Sequence, residues 1–153
     1  MTTTNRSYTS RRSNIVEALA QKLKDINGAG AFLSDLQNNV HPRLKFWDEV
    51  DQFPAIHLNA GAETRQYQAG GFKDRFLSIV IRCYVSDEID ATEALNMLME
   101  DIETVIEDNS RLEYFDRQNN TFNVQQITIV SINTDEGVLE PLGVGEILIE
   151  VRY

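Results

Sequence analysis

Few side chains in this sequence are equipped for chemistry, and their spacing limits what they can do. His41, His57 and Cys83 are its only histidines and its only cysteine. Three soft ligands scattered in this way are too few for a zinc site. Asp87, Glu88 and Asp90 lack the alternating oxygen ligands and the glycine of a calcium loop. They suit instead the approach to a helix N-terminus, where negative charge meets the positive end of the dipole. Gly70-Gly71 has no Gly-Lys-Ser/Thr after it and falls between strand patterns, so it reads as a turn rather than a phosphate loop. No serine sits in a nucleophile elbow, and the strand acids Glu146 and Glu150 have no lysine near them in sequence. No catalytic residue, metal or cofactor is expected.

Charge is the more informative signal. Fourteen bases against 24 acids leave a formal charge of −10, which argues against general nucleic-acid binding, since phosphate contacts need clustered Lys and Arg. Between Ser86 and Asp116 stand eleven acids and one base, Arg111, so this segment alone carries a charge equal to that of the whole chain. The first thirteen residues are basic through Arg6, Arg11 and Arg12.

Those groups must be positioned by a chain of 153 residues, a length that suits one domain burying roughly 70% of its unfolded surface. No window approaches the ~20 apolar residues of a membrane span, and the polar N-terminus has no signal core, so a soluble protein of a reducing compartment is expected. Residues 1–12 show no apolar period and read as a flexible basic arm, with residues 13–153 forming a single α+β domain. Ser13 is the expected N-cap of a first helix, in which Ile15, Val16, Leu19, Ala20, Leu23 and Ile26 recur at helical spacing until Asn27-Gly28. Residues 29–53 are irregular and read either as a missed short helix or as a functional loop. The period then becomes two: strands are predicted over 55–59, 62–68 and 73–85, with Ala69-Gly70-Gly71 as a turn. Asp90 caps a second helix running to about Glu107. Its apolar residues fill one arc, and Glu93, Glu100, Asp101, Glu103 and Glu107 fill the other. That acid arc reads either as a solvated face or, if copies form a ring, as a lumen lining that repels polyanions. Two last strands are predicted over 124–133 and 144–153. Consecutive strands without intervening helices favour antiparallel pairing, giving an antiparallel or mixed sheet of about five strands with two helices on one face. The irregular segments carry large aromatics, Phe46, Trp47, Phe53, Tyr114, Phe115 and Phe122. These read either as core or as interface anchors, and with Arg6, Arg11 and Arg12 they are the candidate partner surface.

Taken together, the first helix ending near Asn27-Gly28, the Phe46-Trp47 approach to Phe53-Pro54-Ala55-Ile56, the long strand from Phe76 to Val85, the acid-capped amphipathic helix and the closing run from Pro141 to Tyr153 resemble the tail-terminator proteins of long-tailed bacteriophages, the group that includes minor tail protein U. The similarity spans nearly the whole chain and rests on the size and order of its elements. It implies a structural virion protein without cofactor or enzymatic activity. The resemblance further implies a hexameric ring that caps the tail tube, ends its polymerisation and meets the head connector or neck protein, with DNA only in transit through the lumen and no membrane contact. A neck or tail-completion adaptor one ring nearer the head, or an unrelated small-ligand or peptide-binding α+β domain, are the alternative readings.

Overall fold

The computed structural model describes residues 11–153. Helix α1, Arg12–Leu23, buries Ile15, Val16, Leu19, Ala20 and Leu23 along one stripe, as the spacing requires. It starts earlier than expected: Arg11 stands at the N-cap without a side-chain hydrogen bond, and Ser13 lies within the first turn. The expected arm therefore loses Arg11 and Arg12 to the body, and residues 1–10, Arg6 among them, lie outside the described residues.

Five strands form one mixed sheet: β1 (Val40–His41), β2 (Ala55–Tyr67), β3 (Lys73–Ser86), β6 (Gln126–Thr134) and β7 (Leu142–Arg152), in the order β1-β2-β3-β7-β6. The β1–β2 pair is parallel and the others are antiparallel. The two strands predicted over 55–59 and 62–68 are one strand. Its register against β3 shifts between Ala60 and Glu63, a bulge that inserts one residue into β2 and breaks the two-residue period there, so the pattern looks like two strands. The irregular 29–53 segment holds β1 and a 3-10 turn at Trp47–Glu49. The polar stretch after the second helix holds a small ribbon of β4 (Glu113–Phe115) and β5 (Thr121–Asn123). Both were hidden by strands too short to show a period.

Helix α2, Ala91–Asp108, is capped as predicted: the Asp90 carboxylate accepts from the Glu93 N–H at 3.0 Å. Both helices lie on the same face of the sheet. There Ile56 and Leu58 of β2, Leu77, Ile79, Ile81 and Cys83 of β3, and Ile147, Ile149 and Val151 of β7 meet Leu19 and Leu23 of α1 and Leu95, Leu98, Ile102 and Val105 of α2. Fully burying each such side chain contributes roughly 1.5–3 kcal/mol, so this single layer holds most of the fold's stability.

The closing run from Pro141 is shaped by contact with α2. A methyl group added at Gly143 would lie 2.7 Å from Val85 Cγ2 and 3.2 Å from the Ala91 carbonyl oxygen, and one at Gly145 would lie 3.0 Å from Met99 Sδ. Glycine at these two places lets the helix lie directly on the strand. Gly143→Ala should destabilise the chain by roughly 1–3 kcal/mol through overpacking, because a backbone carbonyl bounds the space. Gly145→Ala should cost less, since the flexible Met99 side chain can turn away. Urea denaturation of the two variants beside the parent checks the order.

Candidate functional site

Three groups of surface features are candidates, one at each end of the long strands and one along α2. At the first end a strap, residues 42–54, crosses the start of β2. Burial of His57 and Tyr84 beneath it is made possible by hydrogen bonds to strap carbonyls: His57 Nδ1–H donates to Arg43 at 3.0 Å and Tyr84 Oη–H donates to Lys45. His41 stacks on His57 with ring centroids 4.9 Å apart, and His57 meets Tyr84 edge to face at 5.7 Å. The strap so held presents Phe46, 67% exposed, and Trp47, 46% exposed. Phe53 is half-buried at its end. Burial lowers the pKa of both histidines from the ordinary value. The cations of Lys45, Arg43 and Lys24 lower that of His41 further. For His57 the bond to the Arg43 carbonyl opposes the shift, while His41, Lys45 and Arg43 reinforce it.

At the opposite end the β2–β3 ribbon runs on past β7, the last backbone bonds to β3 being the reciprocal pair between Arg75 and Tyr153. The tip turns through Ala69–Gly71, with Gly70 and Gly71 both at φ 83°, a left-handed conformation that glycine adopts freely. Tyr67 and Phe72 flank this turn and are each 73% exposed. The sequence reading passed over both, although an aromatic on each side of a glycine turn was the available signal.

The remaining aromatics sort differently from expectation. Tyr114 is core and Phe122 packs half-buried against it with ring centroids 5.8 Å apart, whereas Phe115 is 52% exposed. Tyr114 is thus corrected from interface candidate to core residue, because β4 turns it inward beneath α1. The Arg11 guanidinium lies over Phe122 at 4.3 Å, Tyr153 at 5.3 Å and Tyr114 at 5.8 Å from their centroids, contacts worth about 0.5–2 kcal/mol. Arg12 donates to the Gly61 carbonyl at the β2 bulge. Tyr153 Oη donates to Glu63 at 2.6 Å, and burial together with that carboxylate pushes the phenol up to about 12.

On α2, Glu93, Glu100 and Glu107 are exposed and Glu103 partly so, and Glu100, Glu103, Thr104, Glu107 and Asp108 line a shallow surface depression. Asp101 departs from this arc. It is 2% exposed, and its carboxylate accepts from the Leu33 N–H at 2.9 Å and the Ser34 N–H at 2.7 Å. The residue stands at the border of the apolar arc, close enough for the loop after α1 to fold over it. Cys83 is buried, which pushes its thiol up to about 12. Among the described residues no group of three His, Cys, Asp or Glu is placed to hold a metal, and no helix is long and apolar enough to cross a membrane.

A helix-backed sheet whose strands end in exposed aromatics, with its carboxylates spread along a solvated helix, has the build of a structural, assembly-type protein. A family model described as Bacteriophage Tail Tube Terminator Protein matches residues 6–153. The tail tube terminator protein p142 of Escherichia phage T5 is 34% identical over 149 residues, which span 93% of this chain and 92% of that protein. A chain solved in the virion of the native gene transfer agent particle shares the fold, with a TM-score of 0.59 over 91% of this chain and 93% of its own length at 10% identity. The chain belongs to the bacteriophage tail tube terminator family, and is a structural protein of the virion tail.

Asp101→Ala should cost roughly 2–4 kcal/mol, because it orphans two loop N–H groups. Asp101→Asn, which keeps one acceptor oxygen, should cost about half as much, and Glu100→Gln close to nothing. Thermal melts of the three variants check this ranking.

The two histidines beside the strap, His41 and His57, set a pH dependence of defined sign. Their folded pKa values lie below the ordinary ~6.5, so as pH falls through that value the unfolded chain takes up protons that the folded chain resists. Stability is fully present above ~7 and should fall towards pH 5, by at most about 1.4 kcal/mol per pH unit for each histidine. Urea midpoints between pH 7.5 and 5 should show the loss, and His57→Gln should flatten it.

Proposed function

We infer that copies of this chain form a ring, six to a ring, on the end of the tail tube. The ring stops tube polymerisation with one face and receives the head connector on the other. DNA passes through its lumen, and the protein performs no catalysis. The observation that carries this reading is the placing of exposed aromatics at both ends of one sheet. Tyr67 and Phe72 stand at the far end of β2, and Phe46 and Trp47 are strapped across its beginning. Thirteen residues of strand separate the ends by roughly 40 Å. Exposed aromatics of this kind are what interface anchors are made of, and two sets facing opposite ways suit a protein that must meet two different partners. The family match supplies the tube as one of them.

Glu93, Glu100, Glu103 and Glu107 are read as a solvated face, because burying unpaired carboxylates against a partner costs several kcal/mol each. Phe115, exposed beside Glu113, is a further candidate contact.

The test separates the ends. Tubes polymerised with the Tyr67→Ser, Phe72→Ser double variant, and with the Phe46→Ser, Trp47→Ser double variant, are measured for length and for attachment to heads by electron microscopy. One pair should yield overlong tubes and the other tails of normal length that fail to join heads. Normal tails and normal joining with both variants would sink the assignment of these ends.

A further inference from the structure

The sheet ends in two strand edges that no described strand covers. On one side β6, Gln126–Thr134, pairs only with β7. On the other, β1 covers β2 only at Ile56 and His57, so that β2 has no outer strand from Leu58 to Tyr67 among the described residues, and there the Arg12 side chain reaches the Gly61 carbonyl. Proteins ordinarily blunt such edges with lysines, prolines, inward charges or bulges. The β6 sequence, Gln-Ile-Thr-Ile-Val-Ser-Ile-Asn-Thr, has no charge and no proline in a chain that is 25% charged, and its one irregularity is a single-residue bulge between Ile129 and Ser131. It consists largely of residues suited to strands, and Val130 and Ile132 stand 55% and 40% exposed on it. The two open runs are of nearly equal length.

We propose that β6 of one copy pairs with the open run of β2 in the next, joining the sheets of neighbouring copies into one continuous wall. The proposal rests on the ring reading above and names its interface. Strand sense supports it. β2 is antiparallel to β3, β3 to β7 and β7 to β6, so β6 runs opposite to β2. Rotation about an axis along the strands leaves strand directions unchanged, and therefore brings β6 against the neighbouring β2 in the antiparallel sense. Two different open edges on one chain make a head-to-tail contact, the kind that closes into rings. Four long strands per copy at ~4.8 Å spacing give a six-copy wall roughly 115 Å round and about 37 Å across between backbones. The helices form a second layer on one face only, and the greater circumference for that layer lies outside. The bare face of the sheet, with Ser78, Val80, Thr128 and Leu148, then lines the lumen, and the acidic face of α2 is turned to the exterior.

Cysteine cross-linking tests the pairing, because Cys83 is fully buried and does not interfere. Thr128→Cys is combined in turn with Ala62→Cys and with Thr64→Cys, the bare-face positions nearest its height along the strands, and the assembled full-length protein is oxidised and run on a denaturing gel. Within one copy these positions are separated by the two intervening strands, too far for a disulfide. A ladder of covalent species up to the ring size is expected from at least one combination. The double variant Thr128→Lys, Ile132→Lys, at exposed positions, should keep the parental circular dichroism and lose ring-sized particles in light scattering. Intact rings with no ladder from either combination would overturn the edge pairing while leaving the ring reading in place. Rings persisting in the lysine variant would do the same. Covalent dimers from Thr128→Cys alone would reveal β6 paired with β6 about a two-fold axis and overturn it as well. A parent chain that forms no rings, alone or with tubes, would overturn both readings.

Discussion

Strand β3 is bonded along most of its length to β2 on one side and β7 on the other, and the side chains it turns toward the helices are withdrawn from water. The rest of the molecule is arranged by that constraint. Because Leu77, Ile79, Ile81 and Cys83 need an apolar cover, both helices must lie on the same side. Because a strand alternates its side chains, the opposite face carries Ser78, Val80 and the Arg82–Glu146 ion pair, which need no second layer, and only the strap covers it, over His57 and Tyr84. The helix layer is therefore single, and the sheet keeps one largely bare face and two open edges.

Outside the apolar layer, the molecule is tied together by polar groups acting on backbone. Asp101 reaches from α2 to hold the loop after α1. Tyr84 and His57 hold the strap by its carbonyls. Asp135 does the same for the turn between β6 and β7, accepting from Leu139. Each tie satisfies peptide groups in segments that have no ladder of their own. These irregular segments carry much of the exposed apolar surface, so their fixed shape is what allows that surface to be specific.

Much of the architecture was legible in the sequence because periodicity encodes burial. The alternation in β3 and β7, and the apolar arc and Asp90 cap of α2, follow from one-sided covering and appear as such. What escaped is what periodicity does not encode. The β2 bulge at Gly61 disguised one strand as two. The two-residue β1 and the three-residue β4 and β5 are fixed by partners distant in sequence or by a short turn, not by a repeating pattern. Among the aromatics that read either as core or as contacts, Phe46, Trp47 and Phe115 are exposed, whereas Tyr114 belongs to the core. Nothing local distinguishes Tyr114 from Phe115, since adjacent residues of a strand face opposite ways and only the position of α1 decides which is inside. Asp101 differs from its acidic neighbours for a similar reason: the loop that covers it arrives from residues 33 and 34.

The antiparallel register also fixes how the molecule bears mechanical load. A pull along the strands, from the Tyr67–Phe72 tip towards the strap, is carried by the covalent backbone of β2, which joins the two directly and is already held extended by its hydrogen bonds to β3. A pull across the sheet would open them one after another, like a zipper. The fold is therefore stiffest along the line joining its two aromatic ends, and softest at the edges of the sheet.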